Sequence, residues 1–425
     1  MDDTIFALSS GMPPAGIGVI RISGPLAATA LRALAGDLPE PRRARLALLK
    51  DPRDGTPLDR ALVLWFPGPG SATGEDLAEV HCHGGRAVVA GIEDALGSLT
   101  GFRRASPGEF TRRAFANGRM DLNEVEGLAD LLAAETQQQR RAALLMSEGH
   151  FSRRLEAWQG RLLDLSAMVE AALDFSDEDD VPDVGIEDII VAGLTDLAED
   201  IRPILSASYA ERLRDGVRVV LAGPPNAGKS TLLNALVGRD AAIVSEVAGT
   251  TRDRIEVPVA LAGTAFLFTD TAGLRDETAD AIEVIGMDRA RAALENADII
   301  LWLGEAVDLP REDAMLIAAQ CDRRPWDEGL RVSAVTGEGM TELVAAILAK
   351  AKMLLPGDSE WALHKRQREG VAQLLGHLDR SARGGDLLIV AEELRHARAA
   401  IDRLTGRAST EHMLDRLFAG FCIGK

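Results

Sequence analysis

Val217-Arg218-Val219-Val220-Leu221-Ala222-Gly223-Pro224-Pro225-Asn226-Ala227-Gly228-Lys229-Ser230-Thr231 carries an apolar run straight into a glycine-bounded loop. The run predicts a buried strand, and Leu232, Leu233 and Leu236 predict a helix after the loop. Between them the spacing is GxxxxGKS, a pattern that becomes specific in a strand–loop–helix setting. The glycines let backbone N–H groups converge on phosphate oxygens at a helix N-terminus. Lys229 supplies a point charge to the β- and γ-phosphates, and the Ser230 hydroxyl is placed to bind Mg²⁺. A glycine-rich turn before an ordinary helix is the plain alternative, and this context sets it aside.

Further signals follow in order. Gly249-Thr250-Thr251-Arg252-Asp253 can bring a threonine to Mg²⁺ and to the γ-phosphate, although the triplet alone is common in turns. The strand Ala265-Phe266-Leu267-Phe268-Thr269 ends in Asp270-Thr271-Ala272-Gly273, about 40 residues beyond the phosphate loop. Asp270 is the second carboxylate on the metal side, and the Gly273 N–H can meet the γ-phosphate. Leu274 stands where many GTPases have a water-orienting glutamine, so that task falls to an acid of the next loop: Asp276, Glu277, Asp280 or Glu283. Base selection is expected after Met315-Leu316-Ile317, where the usual NKxD reads Ala319-Gln320-Cys321-Asp322. Asp322 can accept from guanine's N1–H and exocyclic amine. Ser333-Ala334-Val335 can present a backbone N–H to the guanine carbonyl oxygen. Residues 215–351 therefore predict an α/β domain that hydrolyses GTP, with Asn226, Ala227, Gly228, Lys229, Ser230 and Thr231 around the phosphates.

A chain of 425 residues has room for two or three cores. Short strands at Ile17–Ile22, Ala61–Phe66 and Leu77–Cys82 give residues 1–118 a mixed α/β reading. Helical spacing begins at Met120 (Leu122, Val125, Leu128) and continues through Leu155, Leu162, Leu165, Val169 and Leu173. It returns after Pro356 with Leu387, Val390, Leu394, Ala397, Ile401 and Leu404. The nucleotide domain thus reads as an insertion between helical halves at 119–214 and 352–425, tolerated because a compact domain's termini lie close together. Gly304 to Met315 is short for a helix-bearing segment, so one helix is expected to be reduced or lost.

A net charge of −19 has the wrong sign for a nonspecific nucleic-acid coat, and any RNA contact must come from a local patch such as Arg103-Arg104, Arg112-Arg113, Arg140-Arg141 or Arg153-Arg154. No run approaches the roughly 20 apolar residues that span a bilayer. The first residues carry no basic, apolar leader, and three cysteines (Cys82, Cys321, Cys422) argue for a reducing cytosol and against disulfide or zinc frameworks. Alternation along a strand sends the neighbours in His81-Cys82-His83 to opposite faces, which favours a structural role.

Several stretches serve no generic GTPase need: Asp3-Thr4-Ile5, Gly18-Val19-Ile20-Arg21-Ile22-Ser23-Gly24, Thr73-Gly74-Glu75-Asp76, Pro107-Gly108-Glu109-Phe110-Thr111, Asn117-Gly118-Arg119-Met120-Asp121-Leu122 and Phe421-Cys422-Ile423-Gly424-Lys425. With them the chain resembles the tRNA wobble-uridine modification GTPases of the MnmE (TrmE) family over nearly its whole length. The resemblance implies an N-terminal α/β folate-binding and dimerisation domain, a helical domain, and an inserted Ras-like P-loop domain. It implies a cytoplasmic homodimer working with the flavin-dependent partner MnmG (GidA), which carries FAD, on carbon 5 of the tRNA wobble uridine. A tetrahydrofolate derivative supplies the one-carbon unit, with Arg21, Glu79, Arg119 and Lys425 as folate contacts. The resemblance also implies K⁺-dependent hydrolysis, with Asn226, Ser245, Val247 and Thr250 as the potassium site, Ser230 and Thr251 on Mg²⁺, and Glu283 activating water. Cys422 matches the family's C-terminal cysteine, either as a reactive thiol or as a packing residue. The alternatives are a regulatory GTPase switching RNA or ribosome assembly, which should carry a basic RNA-binding module, and a folate binder with a vestigial GTPase, which would not need Lys229, Ser230, Asp270 and Glu283.

Overall fold

The N-terminal third builds a six-stranded sheet from β1 (Thr4–Leu8), β2 (Ile17–Ser23), β3 (Arg45–Lys50), β4 (Pro57–Phe66), β5 (Leu77–His83) and β6 (Phe102–Arg104), in the order β3-β4-β5-β2-β1-β6. Only the β1–β6 pair is parallel. One face buries Phe6, Ile20, Ile22, Val63 and Val80 beneath the helices Ala27–Ala35 and Arg86–Gly97. On the opposite face Phe110, on the helix Glu109–Ala116, covers Ile5 and Ala7. Farther along that face Leu46, Leu48 and Leu62 remain 60%, 43% and 43% exposed.

The computed structural model describes residues 3–174, 185–206, 210–238, 242–243, 256–270, 291–355, 362–408, 411–421 and 423–424. They divide into two compact units, Met1–Ala129 with Thr405–Lys425, and Asp130–Leu404. The end of the chain thus clusters with the first sheet. Phe418 and Phe421 pack with Val125, and the Ser9 hydroxyl donates to the Gly424 carbonyl at 2.8 Å. Gly424 has φ 94°, and a Cβ there would lie 2.2 Å from the Leu8 carbonyl oxygen, so only glycine fits.

In the second unit, the helices His150–Asp174 and Ile186–Ser206 share one core with Lys365–Ser381 and Leu387–Thr405, through Leu155, Leu162, Ile190, Leu194, Leu374, Leu378 and Ile401. These helices flank the nucleotide-domain segment in sequence, so that domain is an insertion into one bundle. Its strands are β7 (Val217–Ala222), β8 (Ala242–Ile243), β9 (Glu256–Leu261), β10 (Thr264–Asp270), β11 (Ile299–Trp302), β12 (Met315–Ala319) and β13 (Leu330–Val332), ordered β13-β12-β11-β7-β10-β9-β8. The sheet is mostly parallel; β9 runs antiparallel to both β10 and β8. Val219, Leu221, Phe266, Phe268 and Ile299 pack against the helices Lys229–Val237 and Met340–Leu354.

Parallel neighbours usually need a helical crossover. Between β11 and β12 the chain makes only a 3-10 turn at Ala306–Asp308, so the expected helix is lost. A cavity of about 680 Å³ opens there, lined by Pro224, Leu303, Leu316 and Trp326. Trp326 closes part of the space, its indole N–H donating to the Ala319 carbonyl at 2.7 Å. Among the described residues no helix is long and apolar enough to cross a membrane.

Candidate functional site

The phosphate loop begins where β7 ends. Gly223 has φ 149°, and a Cβ there would meet the Leu303 backbone at 3.0 Å, so the turn off the strand requires glycine. Gly228 takes φ 93° as it caps the helix Lys229–Val237. Lys229 is buried, and its ammonium donates to the Gly223 and Pro224 carbonyls at 3.0 and 2.9 Å. The β10–β7 register pairs Asp270 with Leu221, at the edge of the same loop. There the Ser230 hydroxyl donates to the Asp270 carboxylate. A hydroxyl and a carboxylate converging beside a phosphate loop form a hard oxygen pair of the kind Mg²⁺ takes.

The residues expected to select the base lie at the ends of β12 and β13. Asp322 lies in the turn after β12, with Arg323 Nε 3.5 Å from its carboxylate. Ser333 is fully buried; its N–H donates to the Glu338 carbonyl at 2.9 Å, and its hydroxyl accepts from the Thr336 N–H at 3.1 Å. That tight turn fixes where Ala334 sits. Burial pushes the Cys321 thiol up, and the nearby Glu338 charge adds to it. Cys82 is raised in the same way, by burial and then by Asp59, so neither described cysteine is poised as a nucleophile.

On the outer face of the first sheet, the register pairs Arg21 with Glu79. Arg21 Nε and Nη2 donate to Glu79 Oε1 at 3.1 and 3.0 Å, and His81 Nε2 lies 3.1 Å from Oε2. The Arg21 guanidinium sits 5.9 Å from the Phe110 ring centroid. Burial pushes the Glu79 carboxyl up, but the His81 hydrogen bond and the Arg21 charge outweigh it and hold the pKa below the ordinary value. Glu79 is therefore ionised at neutral pH. Two residues from Arg21, the Ser23 hydroxyl meets Thr73 Oγ1 at 2.7 Å, and the Asn117 amide donates to the Thr73 carbonyl at 2.7 Å. Gly74, at φ 79°, lets the stem of exposed Arg119 run against this loop, 3.1 Å from where a Cβ would stand.

Known protein families match this chain along nearly its whole length. Residues 122–422 match the family described as the MnmE helical domain, and residues 4–119 match the GTP-binding protein TrmE N-terminus. The tRNA modification GTPase MnmE of Rhizorhabdus wittichii is 58% identical over 428 residues, covering 100% of this chain and 97% of that protein. The chain belongs to the MnmE family of tRNA modification GTPases. The MnmE of Novosphingobium aromaticivorans is 56% identical with full coverage of both chains. Among solved structures, the G domain of the T. maritima FeoB iron transporter covers 32% of this chain and 98% of its own at 25% identity, with a TM-score of 0.24. As a family member, the chain is a GTP-binding GTPase that takes part in tRNA modification.

The described residues thus assemble Asn226, Ala227, Gly228, Lys229, Ser230, Thr231 and Asp270 at one end of the parallel sheet, and Arg21 with Glu79 on the other sheet. Glu283, Cys422, Lys425, Ser245, Val247, Thr250, Thr251, Thr271, Ala272 and Gly273 lie outside the described residues. Two residues take roles that the sequence pattern does not give them. His81 shares Glu79, which strand alternation makes legible once Glu79 is known to matter. Arg113, one of the arginines offered for a basic patch, is wholly buried among acids and forms no part of any surface. Its neighbours are also engaged: Arg112 pairs with Asp415 at 2.9 Å, and Arg104 with Glu93 at 3.1 Å.

Proposed function

We propose that this chain is a potassium-activated GTPase that works as a cytoplasmic homodimer with the flavin-dependent partner MnmG, on which FAD resides. The pair builds a carboxymethylaminomethyl or aminomethyl group on carbon 5 of the wobble uridine of certain tRNAs. A tetrahydrofolate derivative, 5-formyl- or methylene-tetrahydrofolate, supplies the one-carbon unit.

The observation that carries this reading is the Arg21–Glu79–His81 group, a fixed carboxylate and cation on an open sheet face in a unit that GTP hydrolysis alone does not need. Ionised Glu79 is an acceptor for the N–H edge of a pterin, and Arg21 and Arg119 supply guanidinium forks suited to a carboxylate tail. The buried Phe110 ring lies against the Arg21 guanidinium and helps hold that fork in place. The exposed leucines 46, 48 and 62 on that face support pairing with a second copy. Ser230 and Asp270 suit Mg²⁺, with Thr251 as a further ligand. Asn226, Ser245, Val247 and Thr250 would hold K⁺, whose charge would offset that developing between the phosphates, while Glu283 orients water.

Folate binding tests the first half. Calorimetry with 5-formyltetrahydrofolate should give binding by the unmutated chain, weakened about 10- to 100-fold in Arg21→Ala and in Glu79→Ala, as loss of a charged hydrogen bond demands. No binding by the unmutated chain would remove the folate donor and leave the GTPase intact. The cation assignment predicts hydrolysis about tenfold or more faster in K⁺ than in Na⁺ at equal ionic strength. Equal rates would sink it. Nucleoside mass spectrometry of tRNA from a deletion strain should show loss of the 5-substituted wobble uridine, with recovery on restoring the gene.

A further inference from the structure

Gln320 opens the turn after β12 with a left-handed backbone, φ 55°, which a non-glycine residue seldom adopts. The turn aims its side chain at the phosphate loop, where Nε2 donates to the Asn226 carbonyl at 3.3 Å. Asn226 is itself left-handed, φ 60°. A Cβ built on Gly228 would lie 2.9 Å from Gln320 Nε2 and 3.5 Å from its Cγ, so the amide and its stem cover the loop's second glycine. Two uncommon backbone conformations on separate loops are thus joined across one hydrogen bond. Such conformations persist where their surroundings over-determine them.

The Asn226 carbonyl belongs to the same trans peptide as the Ala227 N–H, and the two point in opposite directions. Holding the carbonyl toward Gln320 turns that N–H into the loop, where it makes a long, weak bond of 3.3 Å to the Pro224 carbonyl that a phosphate oxygen can replace. Backbone N–H groups of this loop are its phosphate donors. We infer that Gln320 is a positioning residue for phosphate binding: it fixes the Asn226–Ala227 peptide and so ties the base-side loop to the phosphate loop. Lysine, the usual residue at this position, has an ammonium long enough to serve the same carbonyl.

The test is the affinity of the full-length protein for GDP, GMP and IDP, measured by calorimetry. IDP lacks the exocyclic amine that Asp322 reads, and GMP lacks the β-phosphate held by the loop. Gln320→Ala and the near-isosteric Gln320→Glu should weaken GDP and IDP by the same factor, about two- to tenfold, with GMP affected less. Gln320→Lys should bring GDP affinity back to within about twofold of the unmutated protein. A changed GDP-to-IDP ratio with the GDP-to-GMP ratio preserved would make Gln320 a base contact and overturn the inference. Unchanged GDP affinity in both the alanine and glutamate variants would overturn it as well, whatever their melting temperatures.

Discussion

GTP hydrolysis by the Lys229→Ala protein is expected to fall about 100- to 1,000-fold while the fold is retained. Lys229 is 6% exposed, and its ammonium donates to the Gly223 and Pro224 carbonyls at 3.0 and 2.9 Å. The charge is desolvated beside a loop of converging N–H groups, where a point charge acts on phosphate far more strongly than it would in water. Removing it takes away transition-state stabilisation that no other described side chain of the loop supplies. Its structural cost is small. Pro224, Pro225 and Asn226 face solvent, so water can reach the freed carbonyls, and the net stability change should stay within about 1 kcal/mol. A phosphate-release assay paired with thermal melting checks both halves. Hydrolysis within tenfold of the unmutated rate would show that Lys229 does not carry the phosphate charge.

The parts of this molecule legible in its sequence are those encoded locally. The phosphate loop is read from glycine spacing between a strand and a helix, and the insertion from helical periodicity that stops near residue 214 and resumes after Pro356. The missing crossover helix is read from a segment too short to hold one, and the structure finds only Ala306–Asp308 there. Contacts made across long sequence separations were not legible. Arg21 meets Glu79 through strand register, and only family resemblance singled that pair out beforehand. Gln320 looked like a damaged base motif, because nothing in Ala319-Gln320-Cys321-Asp322 says that its backbone turns left-handed toward Asn226. Arg113 depends still less on its local sequence. In sequence it is half of a basic doublet, and its one local clue is Glu109, four residues earlier on the same helix. Its other partners, Asp3 and Glu75, come from distant strands and loops.

Arg113 also gives the largest expected effect on stability: Arg113→Ala should destabilise the N-terminal unit by about 3–5 kcal/mol. The side chain is 0% exposed. Nη1 donates to the Asp3 carbonyl at 2.9 Å and to Glu75 Oε2 at 3.0 Å, while Nη2 donates to Asp3 Oδ1 at 2.8 Å and Glu109 Oε1 at 3.3 Å. Lys229 and Arg113 are both buried cations, yet their surroundings differ in the way that decides the outcome. Lys229 leaves behind loop carbonyls that water can reach; Arg113 would leave three carboxylates converging on a void. Arg103 still holds Asp3 and Glu109, and Asp3 is 41% exposed, so the effect should lie toward the lower end of that range. The pH dependence gives an independent check. Burial pushes the Asp3 and Glu109 carboxyls up, but the hydrogen bonds and charges of Arg103 and Arg113 bring both below their usual 3.8 and 4.5. Groups depressed in the folded state contribute stability that is fully present above those usual values and is lost as pH falls through the folded ones. In the alanine variant the carboxylates lose part of that depression, so its deficit should be full at pH 7 and shrink as the pH falls below about 4, toward about 3. Amide hydrogen exchange in β1 and β2, compared between the two proteins at both pH values, reads this directly. Equal protection at pH 7, or a deficit that does not narrow on acidification, would mean that Arg113 is held by packing and not by its three acids.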